Sequence, residues 1–339
     1  MSNSLLKTAN TQAGLFTLAF RMVIGWTYFS AFWRRLILEN KLIPEEAGYI
    51  GEKFNHFLPN ALFIKPIIEH LVTNPDQLQI SMVVFTIIEA IVGLFLIFGL
   101  FTRFMSIGVF GLAMGILLGS GWIGTTCLDE WQIGVLGVAG GFTLFFTGSG
   151  PYSIDYLLMQ KQKPITKTKL FRWFGSGESP FRNEKIPVLI GSLFILGLTL
   201  FTNQVFHGGV YGTLHNKSVK PKVEISNATL NQNQLKFQIY RVEGADVYGS
   251  FLIGIDLLDS NGNSVLSLDG KQLSKLDKNQ INNYYVTKVK PGKHSLIIPL
   301  GGKADLQLPM KDLVLNQGEE YLLKLTDISG TEWTETIQL

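Results

Sequence analysis

Charge is scarce in this sequence. Only 16% of its 339 residues are Asp, Glu, Lys or Arg, while 46% are apolar. A soluble domain of this size carries about 25% charge. The net charge of +3 is small and dispersed, which argues against a nucleic-acid partner. Cysteine is nearly absent. A single Cys excludes an internal disulfide framework, a paired-cysteine redox centre and a four-cysteine metal site. There is no CxxCH for covalent haem, no glycine fingerprint opening a helix after a strand, and no Walker loop. No haem, iron–sulfur cluster or flavin is signalled. The first 14 residues lead into an apolar run too long for a cleavable signal, and no small-residue cleavage site follows. That run reads as a retained membrane helix.

What is abundant is long apolar sequence. A membrane span needs about 20 mainly apolar residues, and five segments qualify, at about 15–37, 80–100, 103–121, 131–149 and 186–206. Only Phe101 and Thr102 part the second from the third, which predicts a tight helical hairpin. Gly108, Gly111, Gly115 and Gly119 in the third, and Gly134, Gly137 and Gly141 in the fourth, predict close backbone approach between helices. Lys161, Lys163, Lys167, Lys169, Arg172, Arg182 and Lys185 crowd 150–185, while 38–79 is acid-rich. The positive-inside tendency then puts the N-terminus and the basic linker 161–185 in the cytoplasm. Segment 38–79, the 122–130 loop and everything after 207 fall outside, in the periplasm where a cell has one. Pro44, Pro59, Pro66 and Pro75 break 38–79 into short helices, expected over the outer mouth of the bundle.

Beyond 220 the periodicity falls from helical to two. Leu235, Phe237 and Ile239 alternate with polar residues, as do Phe251, Ile253, Ile255 and Leu257. Asp259-Ser-Asn-Gly262, Pro291-Gly292 and Ser329-Gly330 mark turns. About eight short strands are expected. The fold class is therefore a membrane all-α helical bundle of four helices plus a fifth transmembrane helix, followed by an extracytoplasmic all-β sandwich. The divisions are 1–160 for the bundle, 161–185 for the linker, 186–206 for the fifth span, 207–220 for a tether and 221–339 for the β domain.

Four constellations could carry chemistry. Arg34 and Arg35 end the first span on its outer side, against the positive-inside tendency. They either snorkel to phosphate headgroups or form an oxyanion site, which suits guanidinium forks. The loop Trp122-Ile-Gly-Thr-Thr-Cys-Leu-Asp-Glu-Trp131 sets Cys127 beside Asp129 and Glu130 and between two tryptophans. Cys127 is either an inert small side chain or a thiolate nucleophile towards sulfur. Asp129 and Glu130 either act with it or favour the start of the fourth helix. Within the spans, Arg21 and Glu89 fall at comparable depths. They form a structural ion pair or a proton path beside Trp26 for quinone reduction. Arg103 reads as an orientation anchor. His56, His70, His207, His215 and His294 all fall outside, none with metal-ligand spacing. His207 could carry protons near the Arg/Cys region.

Arg21-Met-Val-Ile-Gly-Trp-Thr-Tyr-Phe-Ser and Ile88-Glu-Ala-Ile-Val-Gly-Leu-Phe-Leu-Ile-Phe-Gly-Leu-Phe-Thr-Arg103 resemble the DoxX/DoxD membrane family. Gly124-Thr-Thr-Cys-Leu-Asp-Glu-Trp-Gln132 and Gly148-Ser-Gly-Pro-Tyr-Ser-Ile-Asp155 resemble its DoxD branch. One membrane helix followed by a β domain resembles DoxA. The chain is thus similar to a DoxD–DoxA fusion of the thiosulfate:quinone oxidoreductase family. That resemblance implies oxidation of thiosulfate to tetrathionate with membrane quinone as co-substrate. For that reaction the residues' own chemistry, and not the resemblance, supplies a site: Arg34, Arg35, Trp122 and Trp131 to bind substrate, and Cys127, Asp129, Glu130 and His207 to act on it. A homo-oligomer is compatible with this reading. The alternatives are a membrane scaffold whose β domain recruits partners and, third, a sulfur-oxyanion transporter.

Overall fold

The computed structural model describes residues 12–44, 46–124, 129–177, 179, 181, 183–231, 234–245, 249–310 and 318–338. Their contacts divide the chain into two units. One draws on 1–50, 79–121 and 128–215, the other on 51–78, 122–127 and 216–339.

The first unit is helical. Helix α1, Leu18–Phe32, runs on into a π-helical stretch at Trp33–Leu38, so the expected first span changes its winding at the arginine pair. Next come α2, Ile50–Phe57, and α3, Lys65–Thr73. Their residues from 51 onward count with the second unit. Helix α4, Pro75–Phe98, starts five residues before the expected 80. Pro75 does not end a segment here but opens one: at the first helical position its missing N–H costs nothing. Helix α5, Thr102–Ser120, completes the hairpin. Gly99 and Phe101 make the reversal at positive φ of 64° and 47°. Helix α6 is Asp129–Thr147. Helix α7 is Ile154–Gln160, and the basic linker forms a 3₁₀ turn at Pro164–Lys167 and α8, Lys169–Phe174. Helix α9, Lys185–His207, stops at Gly208, whose φ of 64° suits a glycine cap. Among the described residues three helices are long and apolar enough to cross a membrane: α4, α5 and α9. The other two expected spans are helical. However, α1 is 15 residues long before it turns π-helical, and α6 opens on two carboxylates.

Close helix contact falls partly where the glycines predicted it. A Cβ on Gly141 would lie 2.7 Å from Phe110 N and Ser106 O, and one on Gly134 2.9 Å from Leu117 Cα. Helix α6 therefore lays its glycines on the backbone of α5. Gly111 and Gly115 of α5, by contrast, have no neighbour within 4 Å of that position among the described residues. A second close crossing, Gly25 of α1 against Gly93 of α4, was not foreseen. Between these helices Tyr28, Val92, Leu96, Met105, Val109, Leu112 and Leu144 form a buried core.

The second unit holds ten strands among its described residues. They are β1 Lys222–Asn231, β2 Gln234–Glu243, β3 Ser250–Leu258, β4 Ser264–Asp269, β5 Ile281–Asn283, β6 Lys290–Pro291, β7 Leu296–Ile298, β8 Lys303–Pro309, β9 Glu320–Asp327 and β10 Glu332–Gln338. A one-turn helix α10, Gly270–Leu273, follows β4. One antiparallel sheet has the order β1-β2-β8-β5. The other runs β10-β9-β3-β7-β6, with β4 also on β3. Leu235, Phe237 and Ile239 of one sheet share a common buried core with Ile255, Leu257, Leu323 and Leu325 of the other. The predicted turns at 259–262, 291–292 and 329–330 all join antiparallel neighbours. The expected alternation of Phe251, Ile253, Ile255 and Leu257 is broken. Leu252 is buried and Ile253 exposed, and burial resumes at Ile255. A bulge between Leu252 and Gly254 inserts a residue against β9 and reverses the inward face.

Helices α2 and α3, expected over the bundle mouth, are tied into this β unit. Asn55 Nδ2 donates to Gly301 O (3.0 Å), and Thr287 N donates to Asn55 Oδ1 (3.2 Å). Val286 N donates to Val72 O (3.1 Å), and Tyr285 Oη to Glu69 Oε1 (2.8 Å). Asn60 Nδ2 reaches Val242 O at 2.9 Å.

Candidate functional site

The two arginines that end the first span do different things. Both lie in the π-helical turn at 33–38. Such insertions are frequent at functional sites. Arg34 is exposed, and its Nε donates to Ser30 O at 3.3 Å. Arg35 turns inward and donates to Glu89 Oε2 (2.5 Å) and Thr86 Oγ1 (3.0 Å). Its guanidinium also lies 5.7 Å from the centre of the Phe85 ring. Thr86 is held in turn by donating to Met82 O at 2.7 Å. Glu89 is buried, and its side chain is 5% exposed against 14% for Arg35. Tyr28, also buried, sits in electrostatic range of Glu89. Gly137 makes room for it: a Cβ there would come within 3.0 Å of the Tyr28 hydroxyl. Fixed cation, carboxylate and hydroxyl thus meet among apolar helices, with a phenol in electrostatic range. Such a constellation can hold an anion's charge and move a proton.

Arg21 and Glu89, expected as partners, are not brought together. Arg21 instead donates to Leu96 O (2.6 Å), Ile97 O (2.8 Å) and Tyr152 O (2.8 Å). These are carbonyls at the C-terminal end of α4 and in the loop after α6. A cation is well placed there, because the last carbonyls of a helix lack partners. The comparable depths expected of Arg21 and Glu89 do not hold: Arg21 meets α4 at Leu96 and Ile97, about two turns beyond Glu89, and it is Arg35, further along the first helix, that lies level with the carboxylate. Asp155 completes the opposite clasp. Its carboxylate accepts from Phe101 N (2.9 Å), Thr102 N (3.1 Å), Thr102 Oγ1 (3.0 Å) and Ser176 Oγ (2.8 Å), capping α5. Arg103 is more than an anchor: it donates to the carbonyls of Phe145, Arg172, Gly175 and Gly177. Trp26 stands exposed on α1, 5.9 Å from Phe29 by ring centres.

A second group gathers where α6 begins and α9 ends. Asp129 and Glu130 occupy the first turn of α6, where the helix dipole favours negative charge. Trp131 Nε1 donates to Thr202 Oγ1 at 3.0 Å, and its ring stands nearly perpendicular to His207 at 6.4 Å. His207 is buried, its Nε2 lies 3.0 Å from Gly121 O, and its Nδ1 has no hydrogen-bond partner among the described residues. Trp122 belongs to the β unit. It is fully buried and donates to Phe57 O at 3.2 Å. Cys127, with 125–128, lies outside the described residues. Among the described residues no three His, Cys, Asp or Glu side chains gather as a metal set.

The expected residues are therefore brought together as two pairs, Arg35 with Glu89 and Trp131 with His207. Sequence reading missed Thr86 and Tyr28. The signal was available: Thr86 precedes Glu89 by three residues and Tyr28 precedes Arg35 by seven, which places each on its partner's helix face.

Comparison with known families gives two matches in succession along the chain. The model described as TQO small subunit DoxD matches residues 16–181, and that described as TQO small subunit DoxA matches residues 206–336. TQO is thiosulfate:quinone oxidoreductase. The helical unit with its Arg35–Glu89 pair falls largely in the first match and the two sheets in the second. The chain belongs to these families, as a DoxD and a DoxA domain fused in one polypeptide.

Proposed function

We propose that this chain is a thiosulfate:quinone oxidoreductase, oxidising two thiosulfates to one tetrathionate and passing two electrons to a membrane quinone. The observation that carries the reading is the presence of both subunit domains in one chain. The Arg35–Glu89–Tyr28 cluster supports it, because quinone reduction consumes two protons as well as two electrons. A buried carboxylate beside a fixed guanidinium and a phenol is equipped to deliver protons. By its loop charges the chain sits in the cell membrane as a multi-pass protein, with a cytoplasmic N-terminus and the β domain outside.

On the sulfur side, Cys127 as thiolate would attack the outer sulfur of thiosulfate. A Cys–S–S–SO₃⁻ linkage forms and two electrons leave for the quinone. A second thiosulfate then attacks the sulfur that came from the first. It releases tetrathionate and regenerates the thiolate by ordinary thiol–disulfide exchange. The exposed Arg34 offers a guanidinium fork to the dianion. Asp129, Glu130, His207 and Trp131 supply charge, proton transfer and an aromatic wall, and Arg21 and Trp26 flank the quinone side.

The test is thiosulfate-dependent reduction of a short-chain quinone by the purified protein, with tetrathionate measured as product. Wild type should couple the two with one tetrathionate per quinol, and Cys127→Ala should abolish turnover while remaining folded. No quinone reduction by wild type overturns the activity. Full turnover by Cys127→Ala overturns the cysteine chemistry.

A further inference from the structure

The basic linker does not lie loosely beside the helices. The 3₁₀ turn at 164–167 and helix α8 fold back on the spans, with Phe171 against Phe101 (6.1 Å between ring centres) and Phe174 against Phe104 (4.9 Å). Between them opens a groove of about 590 Å³. Its floor joins the first turn of α5, through Arg103, to the last turn of α6, through Phe146 and Thr147. The groove therefore lies at the ends of these helices, α5 being of membrane-crossing length, which is the depth of lipid headgroups.

The lining has two characters. Phe146, Phe171 and Met159 make an apolar wall. Lys167, Lys169 and Arg172 stand exposed at the rim, with no carboxylate bonded to any of them among the described residues. Arg103 donates to four backbone carbonyls and is not counted among the cations that hold the ligand. Among the described residues two carboxylates act on Arg103, Glu184 at the start of α9 and Asp155, whose oxygens cap α5. Leu170 and Trp173, on the neighbouring surface of α8, are half exposed. Apolar and Trp side chains beside cations are what an interfacial helix presents to a bilayer.

We infer that this groove holds the phosphodiester of an anionic phospholipid, with Lys167, Lys169 and Arg172 on the phosphate and the first acyl carbons along Phe146 and Phe171. A soluble phosphate would satisfy the cations but has no use for the apolar wall. A zwitterionic lipid would fill the wall but set its own cation among three others. Basic pockets beside membrane helices take anionic headgroups on this logic.

Native mass spectrometry of the full chain from nanodiscs tests it, comparing phosphatidylcholine alone with phosphatidylcholine containing phosphatidylglycerol. The wild type should retain phosphatidylglycerol. The Lys167→Gln, Lys169→Gln, Arg172→Gln triple variant should lose it by roughly tenfold or more. Lys161→Gln with Lys163→Gln, in the same linker but outside the groove, should not. Equal loss in both variants would mean general surface attraction and overturn the site. Displacement of the lipid by millimolar inorganic phosphate would assign the groove to a soluble anion and also overturn it. If the triple variant misfolds, Lys167→Gln with Lys169→Gln alone must still lower retention, or the inference fails.

Discussion

Arg35 and Glu89 are worth more as a pair than the sum of their hydrogen bonds, because each would be costly alone. Removing one member of a buried ion pair strands the other, at about 3–5 kcal/mol. Arg35→Ala should therefore lower the thermal midpoint markedly, since it leaves the Glu89 carboxylate buried without its guanidinium. Glu89→Gln should cost less, as a neutral amide can still accept from Arg35 and Thr86 remains beside it. The double variant should recover part of what Arg35→Ala alone loses. A double-mutant cycle on unfolding measures the coupling directly. Additive effects would mean the two side chains do not interact. On activity, Glu89→Gln should reduce the turnover of quinone while leaving thiosulfate KM nearly unchanged, since the lost group serves protons and not sulfur. An effect confined to KM would remove Glu89 from the proton path.

At the scale of elements, much of the helical plan was legible. Long apolar runs give spans, and their ends were readable to within a few residues, except where a proline reads both ways. Pro75 looked like a breaker and is a helix start. The π turn at 33–38 carries no composition signal, and two apolar runs do not say at what level they cross, so the depth that gives Glu89 to Arg35 and Arg21 to the carbonyls of Leu96 and Ile97 was invisible. The bulge at Leu252–Gly254 was equally hidden, because Phe251, Ile253, Ile255 and Leu257 are all apolar and mask the change of face. The glycine stripes identified close packing but not which helix supplies the backbone. That distinction predicts opposite outcomes for one substitution. Gly141→Ala drives a methyl onto the backbone of Phe110 and Ser106, which cannot move aside cheaply. It should destabilise by about 1–3 kcal/mol, as overpacking does. Gly115→Ala meets nothing within 4 Å among the described residues and should be neutral or raise the melting temperature slightly, since alanine is the better helix former. Melting the two variants in the same detergent compares them. Equal losses would mean the α5–α6 contact is not as described.

At the scale of the whole chain, the second unit crosses the boundary between the two matched families. Helices α2 and α3 fall inside the DoxD match, yet they count with the strands of the DoxA match. The β domain is thus held to the rest of the chain by more than its covalent tether. Asn55 carries much of that hold: its amide both donates to Gly301 O and accepts from Thr287 N, in a fully buried position. Gly301 is at φ 71°, and a Cβ there would lie 2.5 Å from Asn55 O, so the loop can approach only as glycine. Between His207 and Asn216 the tether exposes Tyr211 and Leu214, so a protease site inserted after Gly212 should be cut readily. The cut β fragment should stay with the membranes through a salt wash, retained by the contacts of α2 and α3. Asn55→Ala with Gly301→Val removes two hydrogen bonds and the space for the loop, and each buried group left unpaired costs about 1–3 kcal/mol. In that variant the cut fragment should appear in the supernatant. A wild-type fragment that washes free after cleavage would show that the tether alone retains the β domain.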